Sequence, residues 1–158
     1  MDIDMKASTR LFGEIDIAVE KIITLENGMI GFPDLQKFAL IFDEEKGKKD
    51  TSIMWLQSMD DPQIAFPVMH PETVMPDYHP TVNDELLQPM GELKSENTYI
   101  LVTVTAASDV KETSVNLKAP VIVNSETRKG CQIIAEDDYP VKYMIYEAIQ
   151  ARKKEAGE

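Results

Sequence analysis

Apolar and polar residues alternate with a period of two along most of this chain, the signature of half-buried β-strands. In "GEIDIAV" (13–19) Ile15, Ile17 and Val19 alternate with Glu14, Asp16 and Ala18, and "KIITLE" (21–26) runs into "NG", a strong turn signal. "KFALIFD" (37–43) is a dense apolar strand, and the polar, glycine-containing "EEKGKKD" reads as a hairpin loop leading to "SIMWLQS". "QIAFPVMH" (63–70) puts Ile64, Phe66 and Val68 on one face. "TYILVTVTAA" (98–107) sets Ile100, Val102 and Val104 against Thr103 and Thr105, β-branched residues that suit a pleated surface. "SVNLKAPVIVN" and "CQIIAE", joined by the turn "SETRKG", bring the count to about eight short strands. This pattern predicts a mainly β fold, a small antiparallel β-barrel-like or sandwich domain.

Two segments break the alternation. "TVNDELLQPM" predicts a short helix near 82–88, with Asn83 as N-cap, acids in its first turn and Pro89 ending it. In "YPVKYMIYEAIQARKK" the residues Val141, Met144, Ile145, Ala148 and Ile149 recur at helical spacing, which predicts a C-terminal helix near 141–154. Pro140 suits its first turn, and Arg152, Lys153 and Lys154 complement the negative end of its dipole. With no repeat or linker, residues 1–158 read as one domain in which 1–9 form a loose end and 141–158 a helical extension.

Charge narrows the function. Sixteen Lys and Arg stand against 28 Asp and Glu, a net charge of −12, and the only basic run is "RKK" at 152–154. Binding a nucleic-acid backbone takes cations that displace its counterions, so direct nucleic-acid binding is not expected and a basic protein partner is favoured. The N-terminus carries no basic segment followed by an apolar one, and no stretch approaches the roughly 20 apolar residues of a membrane span. Cys131 is the single cysteine, which rules out an intramolecular disulfide and fits a cytoplasmic protein.

The one cluster with catalytic potential is "WLQSMDDPQIAFPVMHPETVMPDYHP" (55–80), which holds both histidines, His70 and His79, with Asp60, Asp61 and Asp77. A metal-dependent hydrolase could draw three ligands from His70, His79 and Asp61 or Asp77, since a metal needs donors converging at about 2 Å. The spacing argues against it: the histidines are nine residues apart, each precedes a proline that favours extended backbone, and no HxH or HxxxH pair exists. "DDPQ" and "PDYHP" are turn chemistry. No GxSxG, GxGxxG, Walker-type loop or HExxH occurs, and Cys131 reads as a small buried hydrophobe on the face of Ile133. No catalytic, cofactor or metal residue is therefore assigned.

Binding features are stronger. Pro67 interrupts "IAFPVMH" and cannot donate to a central ladder, so its strand is expected at an edge, where a peptide can add a strand, or at a bulge. Five methionines (54, 59, 69, 75 and 90) fall in this region, and methionine suits adaptable surfaces; Met54, inside a strand beside Trp55, reads as core, whereas Met69 and Met75, flanked by prolines and acids, could serve either role. Asp60, Asp61, Pro67, Met69, His70, Met75, Asp77, Asp84 and Glu85 form the expected partner-binding set. A third reading, an OB-like RNA binder, is motivated by the all-β pattern and opposed by the charge.

The blocks "ENGMIGFPDLQKFALI", "WLQSMDDPQIAFPVMHP", "PDYHPTVNDELL" and "SVNLKAPVIVNSETRKGCQII" resemble the successive signatures of the flagellar assembly factor FliW family, over about Glu20 to Tyr139. The resemblance implies a β-barrel-like protein without a catalytic site. It implies a cytoplasmic partner switch: the protein binds newly made flagellin, and once flagellin is exported it binds the translational repressor CsrA and relieves its block on flagellin mRNA. CsrA is basic, which agrees with the acidic balance. The C-terminal helix lies beyond the matched blocks.

Overall fold

Alternating sequence becomes a closed barrel when every inner strand finds a partner on both sides. The computed structural model describes residues 4–9, 13–18, 21–42, 53–82, 84–91, 94, 96–105 and 108–155. The expected hairpin loop 44–50 and the expected cap Asn83 lie outside these residues. The N-terminal end, expected to be loose through residue 9, instead contributes β1 (Asp4–Thr9), which pairs antiparallel with β2 (Gly13–Ala18). The hairpin is fastened at its turn, where Thr9 Oγ1 donates to the Gly13 carbonyl at 2.8 Å. Its Ile15 and Ile17 pack on Ile22, Ala39, Ile41 and Met59, so β2 covers an outer face of the barrel; that contact, spread over the chain, is what local composition does not reveal.

The barrel itself uses β3 (Ile23–Leu25), β4 (Lys37–Phe42), β5 (Met54–Ser58), β6 (Ala65–Met69) and β7 (Thr98–Thr105). After β8 (Ser114–Val115) come β9 (Val121–Asn124) and β10 (Lys129–Gln132). Antiparallel ladders link β3 to β4, β5, β6, β7, β9 and β10 in turn, and β10 returns to β3 through a parallel ladder, Lys129 to Thr24 and Gly130 to Leu25. Seven strands thus close on themselves, and closure removes the edges that an open sheet must protect. Inside lie Ile23, Leu25, Phe38, Leu56, Val68, Leu101, Val121 and Val123, all fully buried.

Beyond the barrel, β8 and β11 (Tyr143–Met144) extend the sheet from β7. The chain bends between β8 and β9 because Asn116 Oδ1 accepts from the Lys118 and Ala119 amides at 3.0 and 3.1 Å, just ahead of Pro120. The short helix α1 (Asp84–Leu87) falls where expected and continues through Pro89 as a 3₁₀ turn, Gln88–Met90.

The C-terminal helix is a partial correction. It is α2 (Tyr146–Glu155), not 141–154. Tyr143 and Met144 pair with Val115 and Ser114, and the Ile145 amide donates to the Thr113 carbonyl at 3.1 Å, so an edge strand takes the residues the periodicity gave to a first helical turn. Ile145 is buried and Ala148 half-buried, whereas Val141 and Met144 are exposed.

Pro67 is a second correction. Its strand, β6, lies between β5 and β7 and not at an edge. The Ser58 amide donates to the Ile64 carbonyl at 2.9 Å, so alternate pairs 56/66 and 54/68 face each other as hydrogen-bonded pairs and the imino side of Pro67 turns toward β7. There the β6–β7 ladder holds only Val68 with Thr103 and Met69 with Val102, and it stops at the residue with no N–H to give.

Candidate functional site

The polar residues of the 55–80 stretch are turn builders. Asp60 Oδ2 accepts from the Gln36 and Lys37 amides at 2.7 and 2.8 Å, tying the β5–β6 corner to the start of β4. The Asp61 amide donates to Ser58 Oγ at 2.9 Å, and Asp61 Oδ1 accepts from the Gln63 amide at 3.1 Å, an Asx turn ahead of β6. Buried Gln57 closes the corner, its Nε2 donating to the carbonyls of Ser58, Pro62 and Ile64. The expectation of turn chemistry in "DDPQ" therefore holds, and it makes Asp60 a structural carboxylate more than a free docking charge.

The histidines do not converge on the acids. His70 directly follows β6, with its Nδ1 3.3 Å from the Ile100 carbonyl and its ring edge-on to Tyr99. His79 is held through its backbone, its amide donating to the Tyr139 hydroxyl at 3.0 Å. Among the described residues no group of three His, Cys, Asp or Glu side chains is placed to hold a metal ion. Cys131 packs with Met90, Ile122 and Ile133, on the face expected for it, and burial pushes its thiol pKa up to about 11, which leaves it protonated at neutral pH.

The methionine surface is also corrected. Met69 is fully buried among Val102, Val115 and Ile145, and Met59 and Met90 are buried too; Met54 is buried as expected of it, and of the five only Met75 is half-buried. Their long, unbranched side chains fill irregular core space. Asp77 and Glu85 are exposed, and the Asp84 side chain lies outside the described set.

One acid does fasten structure. Asp137 accepts from the Thr81 amide, and its Oδ2 from Thr81 Oγ1 at 3.0 Å, while the Glu136 amide donates to the Thr81 carbonyl at 2.8 Å. Those bonds to the charged form, the Thr81 amide first, hold its carboxyl below the ordinary aspartate value. A depressed folded-state pKa contributes stability that is present above the unfolded value and lost as the pH falls through the folded one. We therefore expect the Asp137 carboxyl to titrate below pH 3.8 by carbon-detected NMR, and Asp137→Asn to shrink the loss of stability on acidification. An ordinary titration would refute this.

The surface most suited to binding was not legible in the sequence. Where the β6–β7 ladder stops, a groove of about 360 Å³ opens beside Phe66 and Pro67, lined further by Ile30, Thr103, Ile134 and Val141. Ile30 is 54% exposed, Ile134 56% and Val141 65%, and exposed Phe32 sets its ring edge-on to Phe66 at 5.3 Å. Gln132 binds the walls together: its Oε1 accepts from the Ile30 amide at 2.7 Å and its Nε2 donates to the Ala119 carbonyl at 3.0 Å. Exposed apolar residues gathered in a groove and rimmed by polar ones are a candidate contact surface for a protein, a ligand or a membrane. The available signal was the doublet Ile133–Ile134: successive residues face opposite ways, so burying one exposes the other unless a second layer covers it.

The FliW protein family model matches residues 6–145 of this chain. A flagellar assembly factor FliW of Lachnoclostridium phytofermentans is 41% identical over 156 residues, covering 98% of this chain and 99% of that protein. One of Lachnospira eligens is 43% identical over 148 residues, covering 92% and 97%. A crystal structure of the flagellar assembly factor FliW superposes with a TM-score of 0.79 at 27% identity, over 89% of this chain and 96% of that one.

Proposed function

The chain belongs to the FliW family of flagellar assembly factors, and on that premise we propose that it is a cytoplasmic partner-switching regulator of flagellin production. In this reading it chaperones newly made flagellin and, once flagellin is exported, binds and antagonises the translational repressor CsrA. The family is one of assembly factors and not of enzymes. No helix of the described residues is long and apolar enough to cross a membrane.

The observation that carries the reading is the apolar groove at Pro67. A closed barrel has no general edge to offer, so an exposed Ile30–Phe32–Ile134–Val141 rim beside a break in the ladder is the place where a partner's apolar segment is desolvated. The charge of −12 supports a basic second partner such as CsrA.

Calorimetry and stopped-flow binding with flagellin and CsrA of the same organism test this. Both are expected to bind, and absence of binding to either one refutes the switch. Steering by unlike charge acts on the encounter, so Asp77→Lys with Glu85→Lys should lower the CsrA association rate about three- to tenfold at low salt, fading at high salt. Asp60 is excluded from this variant because its carboxylate holds two backbone amides. Equal rates at low salt would place the CsrA interface away from these acids.

A further inference from the structure

A second cavity lies toward the end of the barrel away from the groove, between the barrel and Ile17 of β2. Lys21 precedes β3, His70 follows β6, Tyr99 is the second residue of β7 and Arg128 precedes β10, so the four meet toward one end of the barrel. They line a cavity of about 750 Å³ together with the apolar Ile17, Ala39, Leu40 and Ile41. That volume lies within the roughly 300–1,000 Å³ of small-molecule sites.

Its charge runs against that of the protein. In a chain with 28 acids and 16 bases, two cations, Lys21 and Arg128, line this cavity, and the ion pair found among the described residues, Lys129 with Glu26, involves neither. Arg128 is held in place by its structure: its backbone sits at φ 60°, its carbonyl accepts from the Thr24 amide at 2.8 Å, and its Nη2 donates to the Lys21 carbonyl at 2.8 Å. Its Nε is buried with no hydrogen-bond partner. A buried donor left unmet is costly, and this Nε is itself closed off from the cavity, which Arg128 meets through the rest of the residue. Burial raises the Tyr99 hydroxyl above its ordinary pKa while the positive Arg128 opposes the rise, so the hydroxyl stays neutral and able to donate.

We propose that this cavity binds a small organic anion, its carboxylate or phosphate head held by Lys21 and Arg128 and its apolar body laid on Leu40 and the Tyr99 ring. Two cations supply charge-assisted bonds to the head, and the apolar lining excludes water from the rest. The site stands at the end of the barrel away from the groove, so it does not depend on the partner reading.

Nitrogen- and methyl-detected NMR titrations of the whole chain with octanoate, hexyl phosphate and neutral hexanol test it. Octanoate or hexyl phosphate is expected to shift Leu40, Tyr99 and Arg128 signals saturably, in the millimolar range or tighter for ligands of this size, and hexanol is not. The stronger of the two ligands identifies the head group. Lys21→Gln and Arg128→Gln should each weaken binding about tenfold, with Arg128→Lys recovering part of it. Arg128→Gln also removes the bond to the Lys21 carbonyl and can loosen the turn; Lys21→Gln keeps that carbonyl and decides the matter alone. Equal shifts with hexanol, shifts confined to other residues, no shift with either anion, or unchanged affinity in Lys21→Gln would overturn the proposal.

Discussion

Gly28→Ala is expected to destabilise the protein by about 3 kcal/mol or more, a large part of the roughly 5–15 kcal/mol that holds a domain of this size together. Gly28 has φ +68°, and a Cβ there would stand 2.4 Å from the Phe32 carbonyl oxygen and 2.7 Å from Pro33 Cα, both backbone atoms that no rotamer change can move. The left-handed backbone costs a residue with a Cβ about 1–2 kcal/mol, and the clash adds to it. The turn is tightly held, the Gly28 amide donating to the Leu25 carbonyl at 2.9 Å and the Phe32 amide to the Met29 carbonyl at 2.7 Å. Urea unfolding measures the effect, and Gly31→Ala provides the contrast: φ is +91° but nothing lies within 4 Å, so only the backbone cost of about 1–2 kcal/mol applies. Equal unfolding midpoints for the two variants would show that the close approach at Gly28 is not a constraint. Because Ile30 and Phe32 ride on this turn, Gly28→Ala should also weaken whatever binding the groove supports.

The strands were legible because a period of two is written into each segment by itself. "GEIDIAV", "KFALIFD" and "TYILVTVT" need no distant residue to be read, and they became β2, β4 and β7. Closure was not legible, because it depends on Thr24 meeting Lys129 and Leu25 meeting Gly130 in a parallel ladder that neither segment announces. The same non-local competition decided the C-terminus. Val141, Met144 and Ile145 satisfy helical spacing, yet Thr113–Val115 offered backbone partners to Tyr143–Ile145, and tertiary pairing overrode the local preference.

The candidate site divides along the same line. Asp61 was readable as a turn residue, since an Asx turn is built within a few positions, and it acts so; Asp60 instead reaches the distant Gln36 and Lys37 amides, a partner choice no local reading supplies. Pro67 correctly signalled a defect in the sheet, but the defect is an interrupted ladder inside a barrel where the reading placed an outer edge. Met69 could not be placed from sequence, because adjacent Val68 and Met69 lie on opposite faces of β6 and each face meets its own core, one inside the barrel and one beneath Tyr78 and Ile145. The groove was hidden for the reason closure was: Ile30 and Ile134 are far apart in sequence and become neighbours through the β3–β10 ladder.

Ile30→Asp combined with Ile134→Asp is expected to abolish binding of the partner that uses this groove, without unfolding the protein. Both side chains are more than half exposed, so their replacement removes little buried apolar area and each should change stability by about 0.5 kcal/mol or less. In a complex the accounting reverses. An apolar anchor at the centre of an interface is worth about 2 kcal/mol or more, and a carboxylate forced into a desolvated groove adds a penalty of its own. Two such changes together correspond to about 4 kcal/mol, roughly a thousandfold in Kd. The loss should appear mainly as faster dissociation, since short-range packing sets residence time, whereas the Asp77 and Glu85 reversals act on association. Calorimetry and stopped-flow kinetics with flagellin and with CsrA, beside urea unfolding of the double variant, separate the outcomes. Loss of one partner alone assigns the groove to it and gives the other a different surface, as a switch with two docking faces requires. Loss of both means that flagellin and CsrA compete for one face, and the switch is then direct exclusion. Retained affinity for both in a variant that remains folded would remove the groove from the mechanism altogether.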